Sequence, residues 1–320
     1  MTDIVTLDNR KKRLDSISKA ASVIQDFGLV KVLTATEGQR ARVRAALNGF
    51  LWSCLASAFP QKTFALAEDM LKTYEADILN LPNITPNGLV LPKSENILSF
   101  NILQRESVTA FAALGLGNEI ARIQYPVNIR LQSGTPDPVA DSRPRSSVKP
   151  HSDIWAGDPG AGILVFLSVL GDTAKSGIDF FEPKRFPVSF IRPLNDYSEG
   201  RPVIDEGMTK LTSFHENGWF LVDPYLIHQT TKKAPGFRIS LDFRFIPKQK
   251  AEFDSDEEEI RKPYFISFAE WNSLGSGKLL MTSESMHEKK EKTPFIQGYP
   301  VKITLIDTGI HDKQHQKRAG

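Results

Sequence analysis

A run of strict alternation at residues 237–246 constrains this chain more than any other feature. Ile239, Leu241, Phe243 and Phe245 fall on one face, and Ser240, Asp242 and Arg244 on the other. A period of two belongs to a strand with one apolar and one polar face. Other β-forming segments precede it. Residues 120–131 alternate through Ile123, Tyr125, Val127, Ile129 and Leu131, and residues 163–170 are an apolar run bounded by glycines. Shorter candidates lie at 178–181, 189–191 and 218–222. Many short strands with turn residues between them point to a sandwich, a barrel or a jelly roll.

The first third reads as helical instead. Thr34 and Glu37 have the spacing of a capping box. Val43, Leu47, Phe50, Leu51, Cys54 and Leu55 follow as an amphipathic stripe, which Pro60 stops. Phe64, Met70, Leu71, Tyr74 and Ile78 predict a second helix, and residues 97–116 a third that ends near Gly117. Residues 81–92 and 133–150 read as Pro-containing loops. The expected organisation is a mainly helical region 1–118 packed on the outside of a β core 119–250. An extension follows at 251–310, with an acidic linker at 252–261 and strand material at 299–306, and then a polar tail at 311–320. All of it is expected to form one α+β domain.

Composition narrows the functional classes. The formal net charge is only +2, which gives no sign of a nucleic-acid binder or a polybasic membrane anchor. The longest apolar stretches are too short to span a bilayer. The first residues lack an apolar core followed by a small-residue cleavage site, so a cytoplasmic location is the expectation. The single cysteine, Cys54, has no partner for an intrachain disulfide and reads as a small buried hydrophobe.

Candidate chemistry gathers in the β region. His151 and Asp153 are one residue apart, so on a strand or strand end both point to the same face. His228 ends another strand-like run, residues 220–228. Two imidazoles and one carboxylate form the facial set that binds Fe(II) and leaves positions open, and no further thiolate or imidazole is at hand to complete a structural zinc site. Arg238 follows ten residues after His228, with Ser240 on the same strand face. A guanidinium fork beside a hydroxyl suits a carboxylate. His215 competes as third ligand but sits in a turn-like segment with no arginine at that spacing, so His228 is preferred. His287, His311 and His315 lie in polar, charged segments and read as surface residues.

The set His151-x-Asp153, a distal His228 and Arg238-x-Ser240 resembles the Fe(II)- and 2-oxoglutarate-dependent dioxygenase superfamily. Residues 169–183 are similar to the strand–turn–strand that follows the first ligand pair in phytanoyl-CoA-hydroxylase-like members. The resemblance spans residues 120–247. It implies a double-stranded β-helix, or jelly roll, flanked by the N-terminal helices. It implies iron on His151, Asp153 and His228, and 2-oxoglutarate with its far carboxylate on Arg238 and Ser240. The activity implied is that of a non-haem iron dioxygenase using 2-oxoglutarate and O2. Such an enzyme oxidises an unactivated C–H bond of a small molecule, by hydroxylation, desaturation or cyclisation, and releases succinate and CO2. Family halogenases lack the carboxylate ligand, so Asp153 argues against halogenation.

The substrate side is less marked. Trp155 reads equally as a pocket-mouth or a core aromatic. Arg130 and Lys149 are candidates to meet an anionic group, with a solvated or structural role as the plainer reading. Asp158 and Asp223 read as turn or cap residues, and the long loop 133–150 as a binding loop or lid. The partner expected is a small-molecule substrate, with no nucleic acid and no membrane. The oligomeric state is open, a homodimer included. Two other readings stand beside the small-molecule oxygenase: a protein or nucleic-acid hydroxylase on the same fold, and a non-oxygenase jelly-roll isomerase or binding protein.

Overall fold

The computed structural model describes residues 4–85, 87–249, 265–273, 278–283 and 302–307. The acidic stretch 252–261, the polar tail from His311, and His287, His311 and His315 lie outside them. No helix among the described residues is long and apolar enough to cross a membrane.

In chain order, helix α1 (Leu7–Ser18) leads into strands β1 (Val23–Asp26) and β2 (Val30–Leu33). Helix α2 (Glu37–Ala58), two short helices α3 (Met70–Thr73) and α4 (Glu75–Leu79), and α5 (Ile97–Phe111) follow. The β region contains β3 (Ile120–Gln124), β4 (Asn128–Ser133), β5 (Ile163–Gly171), β6 (Ser176–Pro183), β7 (Met208–Ser213), β8 (Trp219–Val222), β9 (Ile227–Lys232) and β10 (Phe237–Pro247). Beyond it lie β11 (Phe265–Ser267), a short helix Phe268–Ser273, and a hairpin of β12 (Lys278–Ser283) with β13 (Lys302–Asp307).

The pairing defines the core. β4 pairs with β10, β5 with β8, and β6 with β7, all antiparallel. The segment at 147–151 joins β9 through Thr230 N–H to Ser147 O (2.7 Å) and a mutual pair of bonds between His151 and His228. Counting from β4, the first strand thus pairs with the last, the second with the next to last, and so on inward. That nesting is the double-stranded β-helix. It yields a large sheet in the order β1-β2-β8-β5-β10-β3-β11 with β4 also on β10, and a small sheet β7-β6-β9.

Both faces of the large sheet are covered, which is why β5 is a continuous apolar run. Ile163, Val165 and Leu167 belong to the apolar cluster shared with α2 and α5. Leu164 and Phe166 belong to the cluster between the sheets, with Ile178, Phe180, Phe214 and Phe220. On β10, Ile239, Leu241, Phe243 and Phe245 pack toward the helices, with Phe111 edge-on to Phe243 at 5.3 Å.

Several local expectations are corrected. The first third is not purely helical, because the β1–β2 hairpin extends the large sheet through β2 and β8. Lys31, buried in β2 and paired with Asp15 and Asp26, masks the apolar pattern of that strand. The capping box of α2 is Thr36 with Gln39, two residues later than expected, since the same spacing recurs there. The second predicted helix is two short ones, α3 and α4. Residues 120–131 divide at Tyr125-Pro126 into β3 and β4, both beside β10. The candidate strand 189–191 is a 3₁₀ turn, Val188–Phe190, following Pro187.

Candidate metal centre and its cavity

His151 and His228 face each other because their backbones exchange two hydrogen bonds, His151 N–H to His228 O (2.9 Å) and His228 N–H to His151 O (2.8 Å). Their ring centroids are 4.3 Å apart. Asp153 arrives differently from the strand geometry expected of a His-x-Asp pair. Ser152 caps a single helical turn, Asp153–Ala156, and Asp153 is its first residue. Ser152 Oγ is also tied to Pro224 O (2.6 Å), in the turn before His228. The result is one buried cluster of His151, Asp153 and His228, with ligand atoms all within 4.8 Å of one another. It is the one such group of three or more among the described residues. His215 lies apart from it, exposed in the β7–β8 turn.

The donor atoms suit a divalent metal. His151 Nδ1–H donates to Lys149 O (2.8 Å), which leaves Nε2 to offer its lone pair. The His151 ring stacks on Tyr197 at 4.4 Å with an interplanar angle of 5°. His228 Nε2 is 3.7 Å from Asp153 Oδ1, and its Nδ1 is buried with no hydrogen-bond partner. Burial lowers the pKa of both imidazoles, that of His151 to about 3, so both are neutral near pH 7. Burial alone would raise the Asp153 carboxyl, but the charge and hydrogen bond of Arg244 lead the effects that outweigh it and hold it below the usual carboxylate range. Neutral imidazoles and an ionised carboxylate are the forms that bind metal.

No motif in the sequence marks Arg244, yet it organises this wall. Its Nη2 donates to Asp153 Oδ2 (2.6 Å), its Nε to Asp158 Oδ2 (2.7 Å), and its Nη1 to Asp242. Asp242 also accepts from Asn128 Nδ2 (2.6 Å) and Arg130 Nε (2.5 Å). Asp158 is therefore an ion-pair partner as well as a turn residue. Asp223 has a double role too. It caps the β8–β9 turn through Tyr225 N–H (3.1 Å) and pairs with buried Arg10 (2.8 Å), fastening α1 beneath the His228 strand.

The cluster opens into a cavity of about 420 Å³ lined by His151, Asp153, His228, Arg130, Arg238 and Ser240, among others. Arg238 is 1% exposed. It donates to Ser176 O (2.7 Å) and to Ser240 Oγ (2.6 Å), and lies 5.3 Å from the centroid of the Phe214 ring. Burial, with Arg130 adding to it, draws the guanidinium pKa down to about 9, so it stays a cation at pH 7. None of its bonds is to a carboxylate. A desolvated guanidinium held only by neutral oxygens is a strong site for an anion.

The remaining candidates separate. Arg130 lines the cavity. Trp155 does not. It is fully buried against Phe186, Phe190 and Gly200, in an apolar cluster on the other side of its helical turn. Lys149 is also outside the lining, paired with Asp196 (3.1 Å) at the surface of the 133–150 loop. Conversely, Thr85, Asn87 and Leu89 reach the cavity from the helical region. Their loop lies directly on β4, with Leu131 N–H bonded to Gly88 O (2.8 Å) and Gln132 Nε2–H to Asn87 O (2.8 Å). Gly88 has φ +77°, and a Cβ there would come within 2.1 Å of Leu131 O. The Asn-Gly pair was the available signal, but it marks a turn and not what the turn packs against.

Fold and site together define a jelly-roll protein with a buried two-histidine, one-carboxylate centre. In fold the chain resembles solved non-heme, 2-oxoglutarate-dependent enzymes. One is the non-heme alpha ketoglutarate dependent epimerase SnoN from nogalamycin biosynthesis, at 9% identity over 74% of this chain and 82% of that one, with a TM-score of 0.32. Another is EctD from S. alaskensis, solved with 2-oxoglutarate and 5-hydroxyectoine, at 13% identity over 73% and 75%, TM-score 0.39. A third is the carbocyclase SnoK from nogalamycin biosynthesis, at 10% identity over 80% and 93%, TM-score 0.38. No protein-family model matches the sequence, and no curated protein does.

Proposed function

We propose that this chain is an Fe(II)- and 2-oxoglutarate-dependent oxygenase that oxidises an unactivated C–H bond of a small molecule, with release of succinate and CO2. The observation that carries this reading is the pairing, across one cavity, of a buried His151–Asp153–His228 cluster with Arg238, a buried cation bonded to no carboxylate. When bound there, ferrous iron with 2-oxoglutarate supplies the oxidative decarboxylation that activates O2 for attack on a C–H bond.

The chain's own residues then have definite tasks. His151 and His228 present neutral nitrogens, and Asp153 presents Oδ1 while Arg244 holds Oδ2. The Lys149 carbonyl and the Tyr197 ring fix the His151 plane. Arg238, braced by the Ser176 carbonyl and Ser240, takes the far carboxylate of the ketoacid. Phe166 and Ile178 supply apolar wall near His228 and keep water from that side.

The test is iron-dependent formation of succinate from 2-oxoglutarate under O2 by the full chain. His151→Ala, Asp153→Ala and His228→Ala are each expected to bring it to background. Full turnover in any one of these variants removes that residue from the ligand set.

A further inference from the structure

We infer that Tyr197 is a substrate-contacting residue, whose hydroxyl donates a hydrogen bond to a neutral oxygen (carbonyl, ether or alcohol) of an uncharged, partly apolar substrate. This rests on the oxygenase reading, because it gives the buried cluster to iron and Arg238 to 2-oxoglutarate.

The first support is the placement of the ring. Asp196 and Glu199 form a capping box around the 3₁₀ turn Tyr197–Gly200, and Lys149 pairs with Asp196 (3.1 Å). Tyr197 N–H donates to Pro144 O (3.0 Å). The ring packs with Ile154 and Trp155 in one apolar cluster and lies parallel to the His151 ring, yet it still lines the cavity. A side chain fixed both at its backbone and on its ring loses little further freedom when it meets a ligand.

The second support is the phenol oxygen. It has no hydrogen-bond partner among the described residues, and it is not sealed from the cavity. Trp155 Nε1, in the same apolar cluster, is by contrast enclosed on all sides. Buried tyrosine hydroxyls normally find a partner, and one left without a partner costs free energy. Among the charges near the oxygen, Asp153 acts most strongly, which places it on the metal side of the cavity. Burial, with Asp153 adding to it, holds the phenol pKa well above its usual value, so the group stays a neutral O–H donor. A molecule bound beside His151 is in place to accept from it.

The third support is that the charges of the lining are already matched. Asp153 and Asp158 bond Arg244, and Asp242 bonds both Arg130 and Arg244. Arg145 is engaged as well, and Arg238 is taken by 2-oxoglutarate. Leu89, Ala156, Phe166 and Ile178 add carbon surface to the same walls. A charged substrate would have to break one of these pairs to find a counter-charge, at high cost. An uncharged molecule with carbon surface and an oxygen acceptor matches both the apolar side chains and the open hydroxyl.

The experiment uses the full chain loaded with Mn(II) under argon, so that no turnover occurs. Binding of 2-oxoglutarate is measured first. At saturating 2-oxoglutarate, the dissociation constants of cyclohexanone, cyclohexene and cyclohexanecarboxylate are then read from the paramagnetic relaxation of their protons. Cyclohexanone is expected to bind roughly three- to tenfold more tightly than either of the others. Tyr197→Phe keeps the ring on His151 and removes only the hydroxyl. It should abolish the preference for cyclohexanone over cyclohexene, with Mn(II) and 2-oxoglutarate affinities within about twofold of wild type. A preference retained in Tyr197→Phe, tightest binding of the carboxylate, or no saturable relaxation of any probe overturns the inference. A larger loss of Mn(II) or 2-oxoglutarate affinity in Tyr197→Phe also overturns it, because the hydroxyl then serves the metal or the ketoacid. Failure of 2-oxoglutarate to bind the Mn(II)-loaded wild-type chain strikes the oxygenase reading instead, and the first measurement shows it separately.

Discussion

The two faces of β10 share one backbone and differ in almost everything else. Ile239, Leu241, Phe243 and Phe245 look outward into an apolar cluster with the helices, where each contributes by removing its surface from water. Arg238, Ser240, Asp242 and Arg244 look inward and are equally buried, yet they are charged or polar and held by hydrogen bonds. The outer face tolerates exchange among apolar residues of similar volume. The inner face does not, because each group is buried on condition that a particular partner is present. The strand thus separates apolar packing from the polar network of the cavity by alternation alone.

Four substitutions test that separation, in falling order of effect. Arg244→Gln leaves Asp153, Asp158 and Asp242 without their common cation. A loss of about 3–5 kcal/mol is expected, together with roughly 10–100-fold weaker metal binding. Denaturant melts and a metal titration read these out, and unaltered metal affinity would show that Asp153 needs no such support. Phe243→Ala opens a cavity on the outer face and is expected to cost about 3–5 kcal/mol in denaturant unfolding. Metal affinity measured below the unfolding transition should be unchanged, and a parallel loss of metal would mean that the two faces are coupled. Arg238→Gln should raise the 2-oxoglutarate requirement by roughly 10–100-fold, or about 1.4–2.8 kcal/mol. It should have little effect on metal affinity, and an unchanged requirement places the carboxylate on another residue. Lys149→Ala removes a partly exposed ion pair with Asp196, for which less than about 1 kcal/mol is expected. Turnover should be unaffected, and a large rise in the substrate requirement would return Lys149 to the cavity.

The same contrast explains what the sequence disclosed. The alternation of residues 237–246 is a local signal, and so are the spacing of His151 with Asp153 and of Arg238 with Ser240. All are visible within a few residues. The nested pairing that brings His228 opposite His151 was accessible only through the family resemblance, since composition and periodicity leave sandwich, barrel and jelly roll open. What stayed hidden depends on distant partners. Arg244 became a hub only through Asp153 and Asp158, both more than 80 residues earlier. The β1–β2 hairpin is stabilised by β8, and Lys31 within it by Asp15 and Asp26. Thr85, Asn87 and Leu89 reach the cavity because Gly88 admits β4 closely. The sequence around Trp155 fits core and cavity equally. The helical turn starting at Asp153, which no residue pattern announced, sends it to the core.

The most direct measurement is a crystal structure of the full chain grown without oxygen in the presence of Fe(II) and 2-oxoglutarate. The account predicts one metal ion bound by His151, Asp153 and His228, with the ketoacid in the same cavity and its far carboxylate on Arg238. A metal bound elsewhere, or a ketoacid whose carboxylate avoids Arg238, would contradict it.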